Sequence, residues 1–68
     1  MIQLLRYVVV LNSKSDKGHI KERIENYDIH YKDEWHILPF ITILATPKQA
    51  EYLEHQEGVR EVRLSTKI

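Results

Sequence analysis

Four histidines are the residues of this chain that first suggest metal chemistry: His19, His30, His36 and His55. His30 and His36 share a segment with the alternation of a strand, and their six-residue spacing corresponds to about 20 Å at roughly 3.3 Å per residue. One ion cannot reach both imidazoles. The chain has no cysteine, and no histidine pair has the spacing of a zinc site. We therefore expect no metal and no other cofactor.

Residues for nucleophilic or acid–base catalysis do not form a recognisable group either. The serines at positions 13 and 15 fall where a helix is expected to begin, which favours a capping role. Asp33 and Glu34 are adjacent on a predicted strand, so their carboxylates point to opposite faces. The two glycines do not form a phosphate-binding loop. We expect no catalytic residues and no enzymatic activity.

Length and charge exclude several other classes of protein. The 68 residues fit one domain, residues 1–68. Ten basic residues balance ten acidic ones, so the chain lacks the positive field typical of a nucleic-acid-binding protein. The longest apolar run near the start, residues 7–11, is far shorter than a membrane span, and residues 1–6 do not resemble a signal peptide. The expected partners therefore include neither nucleic acid nor membrane.

The first elements that would position any site are a strand and a helix. Leu5–Leu11 is rich in β-branched residues and apolar on both sides, which predicts a strand in the middle of a sheet. A helix is predicted to begin after residues 12–16 and to end near Asn26. Ile20, Ile24 and Tyr27 form its apolar stripe.

The hydrophobic period then changes from helical to two. In residues 29–37 an apolar side alternates with a polar one, which predicts a half-buried edge strand. Asp33 interrupts the apolar side, and a β-bulge there would explain it. The apolar side consists of Ile29, Tyr31, Trp35 and Ile37.

The last three elements are a strand, a helix and a strand. Phe40–Ala45 is largely apolar on both sides, like the first strand. Thr46, Pro47 and Gln49 form the N-terminal pattern of a capping box, and Gly58 suits a C-terminal cap. A final strand is predicted over Val59–Leu64.

The order β-α-β-β-α-β predicts an α+β, ferredoxin-like sandwich in which two helices cover one face of a four-stranded antiparallel sheet. The first and third strands are central in that topology, and these are the two strands that are apolar on both sides. Their second apolar side would form an exposed patch, which is typical of a partner-binding surface. The third strand could bury either Phe40 or the pair Ile41 and Ile43.

Several segments resemble the subtilisin propeptide and protease-inhibitor family: YVVVL (residues 7–11), FITILATP (40–47), AEYL (50–53) and GVREV (58–62). The resemblance extends from Arg6 to Ser65 and implies the same β-α-β-β-α-β fold. Members of this family lay the open sheet face on two surface helices of a subtilisin-type serine protease. Their C-terminal tail enters the active-site cleft, so that they act as folding chaperones and inhibitors.

For this chain the resemblance implies a protease, either its own mature domain or a separate enzyme, as the partner. The tail contacts would be Ser65, Thr66, Lys67 and Ile68, and the sheet-face contacts would be Phe40, Thr42, Leu44, His36 and Arg63. The cellular location would follow that of the protease.

The chain departs from the family pattern at three places. Asn26, Tyr27 and Asp28 stand where many relatives have Gly-Gly, Arg63 follows Val62 where many have an acid, and the tail is shorter. The alternative interpretation is a small regulatory or assembly module, similar to an ACT domain, that associates with itself through its sheet.

Overall fold

A computed structural model describes residues 3–65. The sheet order is β2-β3-β1-β4 with antiparallel neighbours, so the predicted ferredoxin-like α+β topology is confirmed. Strands β1 and β3 are central, as their apolar pattern predicted. The elements are β1 (Leu5–Leu11), a short 3-10 helix (Lys14–Asp16), α1 (Lys17–Asn26), β2 (His30–Glu34), β3 (Phe40–Ala45), α2 (Pro47–Glu54) and β4 (Val59–Leu64).

The core lies between the helices and one face of the two central strands. Ile41 and Ile43 of β3 are fully buried there, so Phe40 belongs to the opposite face, which settles the orientation that the sequence left open. Burial of each such side chain stabilises the fold by about 1.5–3 kcal/mol. The other buried apolar residues are Tyr7, Val9, Leu11, Ile20, Ile24, Ile29, Ala45, Ala50 and Leu53.

Helix α1 ends in a Schellman motif. The backbone N–H of Ile29 donates to the carbonyl of Ile24 (3.0 Å), and that of Asp28 donates to Glu25 (3.2 Å). Asp28 has a φ of 54°, the left-handed conformation that glycine adopts most easily. Tyr27 lies past the last helical residue and is 52% exposed, so its predicted burial is wrong.

The predicted start of α2 is confirmed. The Thr46 hydroxyl accepts from the Gln49 backbone N–H (3.2 Å), and the Gln49 side-chain oxygen accepts from the Thr46 N–H (3.0 Å). Its end differs from the prediction, because the helix stops at Glu54 and Gly58 lies in the turn before β4. Gly58 is required for another reason: its φ is 96°, and a Cβ there would lie 2.9 Å from the Asp16 carboxyl group.

Candidate protein-binding face

The side of the sheet opposite the helices, here called the open face, is built from alternate residues of all four strands. Cross-strand pairing aligns Val10 with Phe40 and Val8 with Thr42, giving an apolar centre on the two middle strands. The outer strands contribute mostly charged or polar side chains. The open face comprises Arg6, Val8, Val10, His30, Asp33, Phe40, Thr42, Leu44, Glu61 and Arg63.

The sequence placed Trp35 on the helix side, and the structure corrects this. The pairing of β2 with β3 shifts between Tyr31 and Asp33, which is the bulge that Asp33 suggested. Beyond the shift Glu34 pairs with the buried Ile41, so it lies on the helix side. The strand ends there, and Trp35 packs edge-on against Phe40, with ring centroids 5.7 Å apart. The bulge therefore adds a large aromatic side chain to the open face.

Ion pairs between α1 and the end of β2 fix the position of Trp35. The Lys17 ammonium donates to the Trp35 carbonyl and lies 3.5 Å from Glu34. Lys21 also pairs with Glu34, and the Tyr31 hydroxyl donates to the same carboxylate at 2.5 Å. These charges and hydrogen bonds anchor the loop of residues 35–39 at its first residue.

The same cluster shifts two pKa values. Hydrogen bonds from Lys21 and then from Tyr31 lower the pKa of Glu34 to about 2. Partial burial, followed by the hydrogen bond to Glu34, raises the pKa of Tyr31 to about 12. The carboxylate thus stays ionised and the phenol stays protonated throughout the neutral range.

Two adjoining hollows of about 440 and 580 Å³ lie on the open face. Val8, Trp35 and Ser65 line both of them, so the start of the predicted tail contacts the same surface as the apolar centre. The Ser65 N–H donates to the Arg6 carbonyl at 2.8 Å and thereby extends the pairing of β4 with β1. The open face and the chain leading into the tail are therefore one continuous surface.

The structure brings most of the predicted sheet-face residues together. Phe40, Leu44 and Arg63 lie on the open face, and Thr42 does too, although it is 9% exposed. His36 lies in the loop after β2 rather than in a strand, and it borders the smaller hollow. Of the predicted tail, Ser65 is placed as described, whereas Thr66, Lys67 and Ile68 lie outside the described residues.

Charge on the open face is mixed. Arg63 and Glu61 follow each other on the same side of β4, and the Arg63 Nε donates to the Glu61 carboxylate at 3.0 Å. Exposed apolar side chains continue from this face into the neighbouring loop, where Ile37 is 78% and Leu38 is 42% exposed. An exposed apolar patch with a charged border is the usual composition of a protein-binding surface.

Comparison of the chain with protein-family models, with curated proteins and with solved structures found no match. Within residues 3–65, no group of three or more His, Cys, Asp or Glu side chains is arranged to hold a metal ion. No helix in that part of the chain has the length and apolar character needed to cross a membrane. The function is therefore argued from the geometry of the open face.

Proposed function

We propose that this chain is a propeptide-like inhibitor and folding chaperone of a subtilisin-type serine protease, and that it acts by binding rather than by catalysis. The observation that carries the proposal is the continuity of the open face with Ser65, where the predicted tail begins. A single partner surface can therefore contact the sheet and the tail together. The sequence resemblance described above supports the same partner.

The aromatic pair on the open face supplies the apolar anchor of the proposed contact. Trp35 is 49% exposed, and it packs against Phe40 beside Val8 and Val10. Aromatic side chains in this setting provide much of the binding energy of protein interfaces, because they lose large apolar areas to solvent at little conformational cost. The ion pairs of Lys17 and Lys21 with Glu34 hold the loop of residues 35–39 in place before a partner binds. This reduces the entropy that the loop would lose on binding.

In the resembled family, acidic residues at the end of the last strand cap helices of the protease. Glu61 is the residue proposed to take that role in this chain. Arg63 stands in that region, and a cation is repelled by a helix N-terminus. Glu61 lies on the same face of β4, two residues earlier, and its carboxylate neighbours the Arg63 guanidinium. We propose that Glu61 faces the partner's helix N-terminus and that Arg63 orients it.

The proposed tail contact begins at the end of β4. The hydrogen bond from Ser65 to Arg6 keeps the backbone extended as far as Ser65. From there Thr66, Lys67 and Ile68 would enter the active-site cleft in the manner of a bound product.

A matched pair of aromatic truncations tests the face. Trp35 on the open face and Tyr27 on the helix side are 49% and 52% exposed. Trp35→Ala should raise the inhibition constant about tenfold or more, because truncating an aromatic anchor at the centre of an interface costs about 2 kcal/mol or more. Tyr27→Ala should leave the constant within about twofold. Equal effects of the two variants would refute docking through the open face.

A truncation tests the tail separately. Deleting residues 66–68 leaves the hydrogen bond between Ser65 and Arg6 in place. The shortened chain should fold normally, as judged by circular dichroism, and inhibit far more weakly. Unchanged potency would refute the tail mechanism while leaving sheet docking intact.

A further inference from the structure

Strand β4 lies at one edge of the sheet formed by the described residues, and the backbone groups that point outward from it can be identified. Ser65 donates to Arg6, and the pairing continues through Val8 opposite Arg63 and Val10 opposite Glu61. Hydrogen-bonded pairs alternate with non-bonded ones in an antiparallel ladder. The backbone groups of Glu61, Arg63 and Ser65 therefore point towards β1, whereas those of Val62 and Leu64 point outward.

The other edge of the sheet is less suited to pairing. Strand β2 has five residues and is interrupted by the bulge between Tyr31 and Asp33. Bulges and short length are features that protect edges from strand addition. Strand β4 has six residues, and its own irregularity lies near its start, beside the step from Val10 to Leu11 in β1. Residues 61–65 consequently form a regular edge with no neighbouring strand among residues 3–65.

Hydrogen bonding restricts how a second copy could add to this edge. The outward backbone N–H and C=O groups of one copy must bond to the outward groups of the other. Among residues 61–65, Val62 and Leu64 of one copy can therefore lie opposite only Val62 or Leu64 of the other. Four two-fold antiparallel registers then centre on Glu61, Val62, Arg63 or Leu64. The register on Leu64 pairs only residues 63–65 of the stretch 59–65, whereas the register on Val62 pairs all of it. The register on Glu61 sets two carboxylates opposite each other, and the register on Arg63 sets two guanidinium groups opposite each other, both of which are unfavourable.

We propose that two copies of this chain pair antiparallel through β4, with Val62 opposite Val62 and Glu61 of each copy opposite Arg63 of the other. The two charge pairs occupy non-hydrogen-bonded positions, where the Cα atoms are only about 4.5 Å apart. In the single chain the Arg63 guanidinium and the Glu61 carboxylate pair with each other at 3.0 Å. In the dimer each of them pairs instead with the oppositely charged residue of the second copy. The two four-stranded sheets become one eight-stranded sheet.

The geometry also limits the strength of this dimer. Glu51 and Glu54 of α2 border the same hollow as Val62, so the pairing brings carboxylates of the two copies closer together on the helix side. The interface is one strand wide, which is characteristic of weak, concentration-dependent association. The open faces remain uncovered, and the proposal does not depend on a protease.

Sedimentation equilibrium of the full chain over a concentration series up to about 1 mM tests the dimer, and charge reversal tests its register. Glu61→Arg places arginine at both of the paired positions 61 and 63, and Arg63→Glu places glutamate at both. Each variant alone should dimerise about tenfold more weakly than the unchanged chain or worse. An equimolar mixture of the two should recover a heterodimer, because both cross-strand pairs are again opposite in charge.

Lys32→Glu on the exposed strand β2 is the matched control. It changes the net charge by the same amount as Arg63→Glu and should leave dimerisation unchanged. Circular dichroism confirms that each variant is folded. A concentration-independent monomer mass for the unchanged chain would overturn the proposal. It would equally be overturned by single variants that dimerise as well as the unchanged chain, or by a mixture that stays monomeric.

Discussion

Two neighbouring residues of β3 should respond very differently to truncation, because they lie on opposite faces of the sheet. Ile43 is fully buried, and Ile43→Ala should cost about 3 kcal/mol, within the 2–5 kcal/mol typical of core truncations. Leu44 is half-buried on the open face, and Leu44→Ala should cost about 1 kcal/mol. A chain of 68 residues has about 3–5 kcal/mol in total. Ile43→Ala should therefore retain at most about 2 kcal/mol and be marginally folded, whereas Leu44→Ala should retain about 2–4 kcal/mol and stay mostly folded.

Urea unfolding followed by circular dichroism measures this difference. With a slope of about 1 kcal/mol per molar urea, Leu44→Ala should lower the midpoint by about 1 M, and Ile43→Ala should leave little or no folded baseline. The same two variants separate stability from binding, because Leu44→Ala should weaken protease inhibition while remaining folded. Equal losses of stability would refute the assignment of the two faces.

Three further measurements address local features of the fold. Thr46→Ala should cost about 1 kcal/mol in urea unfolding by removing the α2 cap, whereas Thr46→Ser should restore most of it; equal stability of the two variants would contradict the cap. Asp28→Gly should stabilise the chain and Gly58→Ala should destabilise it by more than about 1 kcal/mol, since both positions have positive φ; opposite signs would contradict the backbone geometry. The pKa of Glu34 is lowered to about 2, so its stabilising effect, complete above about pH 5, should be lost as the pH falls towards 2. The pKa of Tyr31 is raised to about 12, so its contribution should be lost between pH 10 and 12. Thermal unfolding across pH, compared with Tyr31→Phe, measures both effects, and an alkaline loss that survives Tyr31→Phe would exclude the phenol as its source.

The order and arrangement of the elements could be predicted from the sequence because the two kinds of strand differ in composition. Residues apolar on both sides marked β1 and β3 as central, and the Thr46 capping box marked the start of α2. The capping box acts over four residues, so it can be recognised without knowledge of tertiary contacts. The ends of α2 and β2 had no such local signal, and they differ from the prediction.

The position of Trp35 could not be predicted in the same way. Simple alternation placed it beside Tyr31, and the one-residue shift at the bulge reversed every side chain after it. Asp33 on the apolar side was the only sign of the shift. The role of Gly58 was missed for a related reason, since its close approach to Asp16 joins elements far apart in sequence.

The central claim is that the chain inhibits a subtilisin-type protease by occupying its surface and cleft together. The most direct measurement titrates the intact chain against several such enzymes, follows hydrolysis of a chromogenic peptide, and checks the chain by mass spectrometry throughout. The proposed function predicts stoichiometric inhibition, or inhibition that fades only as the chain is slowly cleaved. Full protease activity beside an intact, folded chain would contradict it and would favour a module that associates with itself through its sheet.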